Sequence, residues 1–230
     1  MNEQFIRTIG LLGEEGYQKL SYAHILVCGL GGVGGTALEA LARSGVSSFT
    51  LVDFDKVAPS NLNRQILYTS NDIDKPKVEI AKKRILDINK SIKVVMINNK
   101  VSEEVLKNMP KEYSYIIDAI DDIKGKVELM KFAFKNNIPI ITSLGMANRL
   151  DPSKVVITSL NKTTIDPLAR KLRYELKKAG IDTGKVDVAF SKEEPIKDGN
   201  NLHSMMMVPS ASGLAIASHV IKQLINKETK

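Results

Sequence analysis

His24-Ile25-Leu26-Val27-Cys28-Gly29-Leu30-Gly31-Gly32-Val33-Gly34 decides how this chain is read. A run with an aliphatic centre enters a glycine cluster. The stretch that follows, 36–44, spaces its apolar residues as a helix does and stops at Gly45. Strand, G-x-G-x-x-G turn and helix in that order are the context in which the motif binds a nucleotide. Its glycines, Gly29, Gly31, Gly32 and Gly34, allow a tight turn and close backbone approach. The helix N-terminus then offers free N–H groups and a positive dipole end to phosphate. A glycine-rich packing turn would show the same letters, so the motif needs support from the residues around it. The Lys-Ser/Thr pair of a P-loop is missing.

Working outward, strand patterns at 49–54, 92–97, 113–120 and 138–142 alternate with helix patterns at Lys77–Ile88 and 126–135. In the first of these helices Val78, Ala81, Ile85 and Ile88 share one face, and Pro76 suits the first turn. Such alternation predicts a parallel sheet with helices on both faces. Beyond residue 144 the pattern changes. A strand is expected at 155–160, a helix at 166–179, a strand at 186–190, a polar loop at 192–203 and a closing helix at 210–226. For the 166–179 helix, Asp166 is the N-cap, Pro167 the first position and Gly180 the stop. The expected fold is therefore α/β and Rossmann-like, a mostly parallel sheet flanked by helices and extended by additional strands and helices in the C-terminal part. Residues 1–230 read as a single unit. Within it, 1–145 form the nucleotide-binding part, and 146–230 complete the sheet and a substrate face.

Composition narrows the class. Of 230 residues, 43% are hydrophobic and 26% charged, which excludes a disordered, collagen-like or coiled-coil chain. The single cysteine, Cys28, excludes an intramolecular disulfide framework and a multi-cysteine zinc site. The formal charge of +7 points to an anionic partner, although lysine supplies 26 of the 33 basic residues and a lysine-rich composition has other origins. Residues 1–10 are polar, without the apolar core of a signal peptide. The apolar stretch 208–225 is interrupted by Pro209, several serines, His219, Lys222 and Gln223, so it is expected to be a buried helix rather than a membrane span. These features predict a cytoplasmic protein with no stable membrane insertion.

Asp53 ends the second strand, where a carboxylate can bind ribose hydroxyls. Ser60-Asn61-Leu62-Asn63-Arg64-Gln65 follows, and Lys77 opens the next helix. Arg64 and Lys77 are placed to reach a triphosphate, more positive charge than a nicotinamide cofactor needs. Asp118-Ala119-Ile120-Asp121-Asp122 ends the fourth strand, on the ligand side of a parallel sheet. Carboxylates there suit Mg²⁺. Asp121 is the favoured ligand, and Asp118 or Asp122 is an alternative cap for the following helix. His24, His203 and His219 show no metal spacing.

Taken together, G-L-G-G-V-G, L-V-D-F-D-K-V, S-N-L-N-R-Q, K-P-K-V-E and D-A-I-D-D, in this order over roughly residues 7–145, resemble the adenylation domain of the E1-like (ThiF/MoeB/HesA) superfamily. The resemblance implies ATP and Mg²⁺, with attack of a carboxylate on the α-phosphate and loss of pyrophosphate. It implies that Asp53 holds the ribose with Asp55 beside it, and that Asn61, Arg64, Gln65 and Lys77 orient and neutralise the phosphates. Asp121 would bind the metal. Arg7, in R-T-I-G-L-L-G, matches an arginine that such homodimers insert into the neighbour's site; an exposed helix cation is the alternative. Arg64, Lys77, Asp121 and Arg7 make up the implied catalytic set.

Further segments, among them G-E-E-G-Y-Q-K-L, L-D-P-S-K-V-V-I-T-S-L, T-T-I-D-P-L-A-R-K-L-R and S-G-L-A-I-A-S-H-V-I-K, resemble the tRNA threonylcarbamoyladenosine dehydratases over nearly the whole chain. That implies adenylation of the carboxylate of N6-threonylcarbamoyladenosine at position 37 of tRNA, and ring closure by the carbamoyl group with loss of AMP. No transfer cysteine is then needed, in keeping with a chain whose one thiol sits inside a strand. A tRNA substrate fits the positive charge, and Arg170, Lys171, Arg173, Lys177 and Lys178 cluster on one helix as phosphate contacts or as a solvated face. The other readings are an adenylyltransferase for a ubiquitin-like sulfur-carrier protein, with a cysteine desulfurase or sulfur-carrier system as partner, and a non-catalytic E1-like subunit. The 204–208 run S-M-M-M-V is expected in the core or in dimer packing.

Overall fold

The computed structural model describes residues 3–199 and 201–226. Its centre is a seven-stranded sheet in the order β3-β2-β1-β4-β5-β7-β6. The strands are β1 (His24–Cys28), β2 (Ser48–Val52), β3 (Lys93–Ile97), β4 (Tyr115–Asp118), β5 (Ile140–Ser143), β6 (Val155–Ser159) and β7 (Asp187–Ser191). All pairs are parallel except β6 with β7. Five strands have runs buried on both faces, as a parallel sheet covered by helices requires. The edge strand β3 is half-exposed and carries Lys93.

Side chains alternate across the sheet with period two. Ile25, Val27, Phe49, Leu51 and Ile117 enter one core, with α1 (Ile6–Tyr22), α2 (Gly32–Ser44), α3 (Lys77–Ile88) and α7 (Met207–Ile225). Leu26, Cys28, Val52 and Ile116 enter the other, with α4 (Glu103–Lys107), α5 (Ile123–Lys135) and α6 (Pro167–Lys178).

The C-terminal strands extend the sheet past β5, as expected. The α3 helix spans the anticipated residues. Asp166 caps α6 by accepting from Ala169 N, and Gly180 closes it at φ 72°. Two helices carry no clear sequence pattern. In α1 three glycines dilute the helical signal, and Gly13 at φ 75° kinks it; α4 is a single short turn. Among the described residues no helix is long and apolar enough to cross a membrane. The α7 helix lies against α2 so closely that a Cβ on Gly213 would sit 2.5 Å from Val33 O.

Candidate active site

The glycine turn is built by close approach. Gly29 has φ 86°, and a Cβ there would lie 2.6 Å from Ala119 O. A Cβ on Gly34 would lie 1.8 Å from Gly29 O. Both positions exclude any larger residue. Gly32 packs between Arg64 O and Pro209, whereas Gly31 faces open space bordered only by Gln65 Nε2, 3.8 Å from its would-be Cβ. Gly31 caps α2 without any side-chain bond to the first N–H groups, so the donors of that helix end are left for a ligand. Gln65 is buried, and its carboxamide Oε1 has no partner. An orphaned buried acceptor beside an open glycine cradle fits a polar ligand.

Asp53 lies at the end of β2. Its Oδ2 accepts from Leu30 N at 2.7 Å and its Oδ1 from Asp55 N at 2.9 Å. Burial pushes its carboxyl above the usual range, opposed by these bonds and by Lys77. The carboxylate therefore fixes the glycine turn to β2, and each oxygen keeps lone-pair capacity for a ribose hydroxyl. Tyr68, which the sequence did not single out, adds a second brace, its hydroxyl donating to Leu30 O at 2.8 Å.

Lys77 opens α3 as expected. It is buried, and its Nζ donates to Asp55 Oδ2 at 2.8 Å. Asn61 Oδ1 accepts from Ala58 N and caps a turn, which sets the 61–65 segment against the glycines. Arg64 folds onto its own segment, Nη1 donating to Ser60 O at 2.6 Å and to Asn63 Oδ1 at 3.0 Å. Gly29, Gly31, Gly32, Gly34, Asp53, Asp55, Asn61, Arg64, Gln65 and Lys77 are thus brought to one end of the sheet.

The three carboxylates after β4 separate by role. Asp118 is fully buried and paired with the equally buried Lys126 at 3.1 Å. Asp122 caps α5 by accepting from Gly125 N. Asp121 is exposed and has no described partner, in a loop whose Ala119 abuts Gly29. No group of three or more metal-ligating side chains occurs among the described residues. One free carboxylate fits Mg²⁺, which is usually held by one or two carboxylates plus substrate phosphates. The Asp118–Lys126 pair was outside the sequence expectation.

Arg7 is exposed on α1, and no described contact joins it to the residues above. Gln4, three residues earlier, donates to Ile88 O at the C-terminal end of α3, roughly 16 Å along the helix from Lys77. Cys28 is buried, and burial raises its thiol well above the usual range, so it is a core residue. Arg173 leaves the cationic face of α6, donating through Nη1 to Leu160 O and Thr163 O. Met205, Met206 and Met207 are exposed and lie outside the core of this chain.

A cleft of about 560 Å³ is lined by Asn148, Arg149, Leu150, Ile196, His203 and Met205, among others. Asn63 Nδ2 donates to Ser204 O at 2.8 Å and joins this lining to the Arg64 segment. Arg149 is buried and donates to Gly145 O, Ala147 O and Glu193 O, which ties the cleft floor to the end of β5.

A model of the ThiF family matches residues 4–230. The chain is 38% identical over 244 residues to the tRNA threonylcarbamoyladenosine dehydratase of Bacillus subtilis, covering 98% of this chain and 96% of that one. It is 35% identical to the Escherichia coli protein of the same name, with coverage of 99% and 96%. The crystal structure of E. coli tRNA N6-threonylcarbamoyladenosine dehydratase in complex with ATP is similar at a TM-score of 0.91 and 38% identity, covering 96% of this chain and 93% of that one.

Proposed function

Since the chain belongs to the ThiF family, we propose that it is an ATP-dependent dehydratase of tRNA. It adenylates the carboxylate of N6-threonylcarbamoyladenosine and yields the cyclic nucleoside with AMP and pyrophosphate. The observation that carries this is an open glycine cradle with an orphaned Gln65 acceptor in a chain whose one thiol is sealed. Residues 1–145 supply the nucleotide face of one adenylation unit, and 146–230 supply the substrate face.

The N–H groups at the start of α2 receive the phosphates, and Asp53 receives the ribose. Lys77, held by Asp55, and Arg64, which leaves its own segment, neutralise charge gathering at the α-phosphate in the transition state. Asp121 would hold Mg²⁺, which when bound would supply further positive charge against the phosphates. The substrate carboxylate oxygen bonds to the α-phosphorus and pyrophosphate leaves. The carbamoyl group of the same nucleoside then closes on the activated carbonyl, loses a proton and expels AMP. The net change is one water removed from the nucleoside and ATP split to AMP and pyrophosphate. Cys28 stays outside this route, which needs no sulfur partner.

Arg7 is exposed on α1, and on this reading it serves a second copy in a homodimer, with the exposed Met205–Met207 run available for packing. The enzyme meets tRNA in the cytoplasm. The test is mass spectrometry of nucleosides from tRNA carrying threonylcarbamoyladenosine, after incubation with the protein, ATP and Mg²⁺, alongside Asp121→Asn. Loss of one water with AMP formed, and none in the variant, is expected. An unchanged nucleoside while ATP still binds overturns the substrate. A monomer by light scattering with full activity overturns the role of Arg7.

A further inference from the structure

Helix α6 carries its positive charge on one side. Arg170, Lys171, Lys177 and Lys178 are exposed, as is Tyr174 (59%). At 3.6 residues per turn these five positions fall within an arc of about 120°. Ala169, Leu172 and Leu176 are buried on the opposite side. No carboxylate lies within the arc; Glu175 sits at its margin, its oxygen 3.9 Å from Lys178 Nζ. Lys178 Nζ also lies 4.2 Å from the centre of the Tyr174 ring, which holds that ammonium on the stripe.

A merely solvated helix face mixes its signs, because opposite charges three or four residues apart stabilise a helix and like charges destabilise it. The surface lysines of α3 follow that rule, Lys82 and Lys83 being flanked by Glu79 and Asp87. On α6 Glu175 is the one carboxylate spaced against the stripe, i,i+4 from Lys171 and i,i+3 from Lys178, while Arg170, Arg173 and Lys177 follow one another as like-charge neighbours. It is held through other groups: the Asp166 cap, the Arg173 bonds and a buried apolar side.

Its position is also specific. Asp166 Oδ2 accepts from Gly145 N at 3.1 Å, so the first turn of α6 hangs from the loop after β5, at the site end of the sheet. From there α6 runs down the α5–α6 side, and the stripe from Arg170 to Lys178 covers about 12 Å of it. Lys197, on the rim of the cleft beside that loop, adds a cation at the site end.

We propose that the outward face of α6, made by Arg170, Lys171, Tyr174, Lys177 and Lys178, is the surface on which the sugar-phosphate backbone of the RNA substrate docks while its modified nucleoside is at the nucleotide site. This rests on the tRNA reading and adds where the RNA lies. The cations bind phosphates, so they set affinity and register and leave the chemistry to the site.

The test measures binding of full-length tRNA carrying threonylcarbamoyladenosine as a function of KCl, together with steady-state turnover. The α6 variant carries Arg170→Gln, Lys171→Gln, Lys177→Gln and Lys178→Gln. A control of equal charge change carries Lys83→Gln, Lys90→Gln, Lys93→Gln and Lys107→Gln, all exposed elsewhere. The α6 variant is expected to weaken tRNA binding and raise KM at least tenfold, with kcat, ATP affinity and thermal midpoint unchanged. The slope of log affinity against log salt should shrink by about 0.7–0.9 for each phosphate that the variant no longer neutralises. Equal effects in the control, no effect in the α6 variant, or no binding of tRNA by the unaltered protein overturns the proposal. If tRNA binds through α6 but its nucleoside is never dehydrated, the docking surface stands and the dehydratase reading falls.

Discussion

Replacing Lys126 with methionine should destabilise the fold more than any surface substitution. Lys126 Nζ donates to Asp118 Oδ1 at 3.1 Å, to Thr142 Oγ1 at 2.8 Å and to Ser143 O at 2.9 Å, and both members of the ion pair are fully buried. Methionine fills similar space but leaves the Asp118 carboxylate with only Thr142 Oγ1 and Ile120 N. An uncompensated buried charge costs about 3–5 kcal/mol. With roughly 2 cal/mol/K of unfolding entropy per residue, a chain of this length loses about 2 °C per kcal/mol, so Tm should fall by about 6–10 °C. Calorimetry at neutral pH reads this directly. The double variant Lys126→Met/Asp118→Asn removes the stranded charge and should recover at least half of the loss. A drop under about 2 °C, or a double variant no more stable than the single, would refute the assignment of the cost to Asp118.

Other perturbations separate binding, chemistry and stability. Gly34→Ala should abolish measurable ATP binding by calorimetric titration, because its methyl meets Gly29 O at 1.8 Å and neither backbone can retreat. Arg64→Ala should leave Tm within about 1 °C, since it bonds only to its own segment, yet slow pyrophosphate release about 100-fold; a normal rate would remove it from the phosphate site. The Cys28 thiol should resist iodoacetamide in the native protein and react fully in denaturant, as read by intact mass. At Glu39, burial raises the carboxyl, but Arg84 and Arg43 outweigh burial and hold it below its ordinary 4.5. Its contribution is therefore present above pH 4.5 and lost as pH falls through the lowered value. The stability gap between the unaltered protein and Glu39→Gln should close on acidification in denaturant melts.

The features legible in the letters share a local cause. The G-x-G-x-x-G turn, the α3 face and the Asp166-Pro167…Gly180 frame of α6 each depend on residues within about one element of each other. What stayed hidden depends on partners far apart in the chain. Nothing near Lys126 in sequence says that it will meet Thr142, and Arg173 looks like its exposed neighbours until Leu160 and Thr163 fold beside it. The three methionines after Ser204 read as core or dimer packing, and their exposure at the start of α7 removes the first of these. The glycines of α1 masked a helix that packing supplies. Of the three carboxylates after β4, Asp118 and Asp122 are occupied in the fold and Asp121 is not, a division that the letters D-A-I-D-D could not show.

The packing of α7 on α2 has a consequence for how the protein is made. Thr36 and Ser210 meet across a sequence separation of 174 residues, and Pro209 packs on Gly32 in the glycine turn itself. The ribosome delivers α7 only after all seven strands have emerged. Until then the first turn of α2 lacks its neighbour, and a nascent chain with its sheet already paired still cannot close the cradle. Such distant pairings form late and slowly. ATP should therefore stabilise the released protein and have little effect on chains arrested before residue 207, which keeps the nucleotide from trapping a half-made fold.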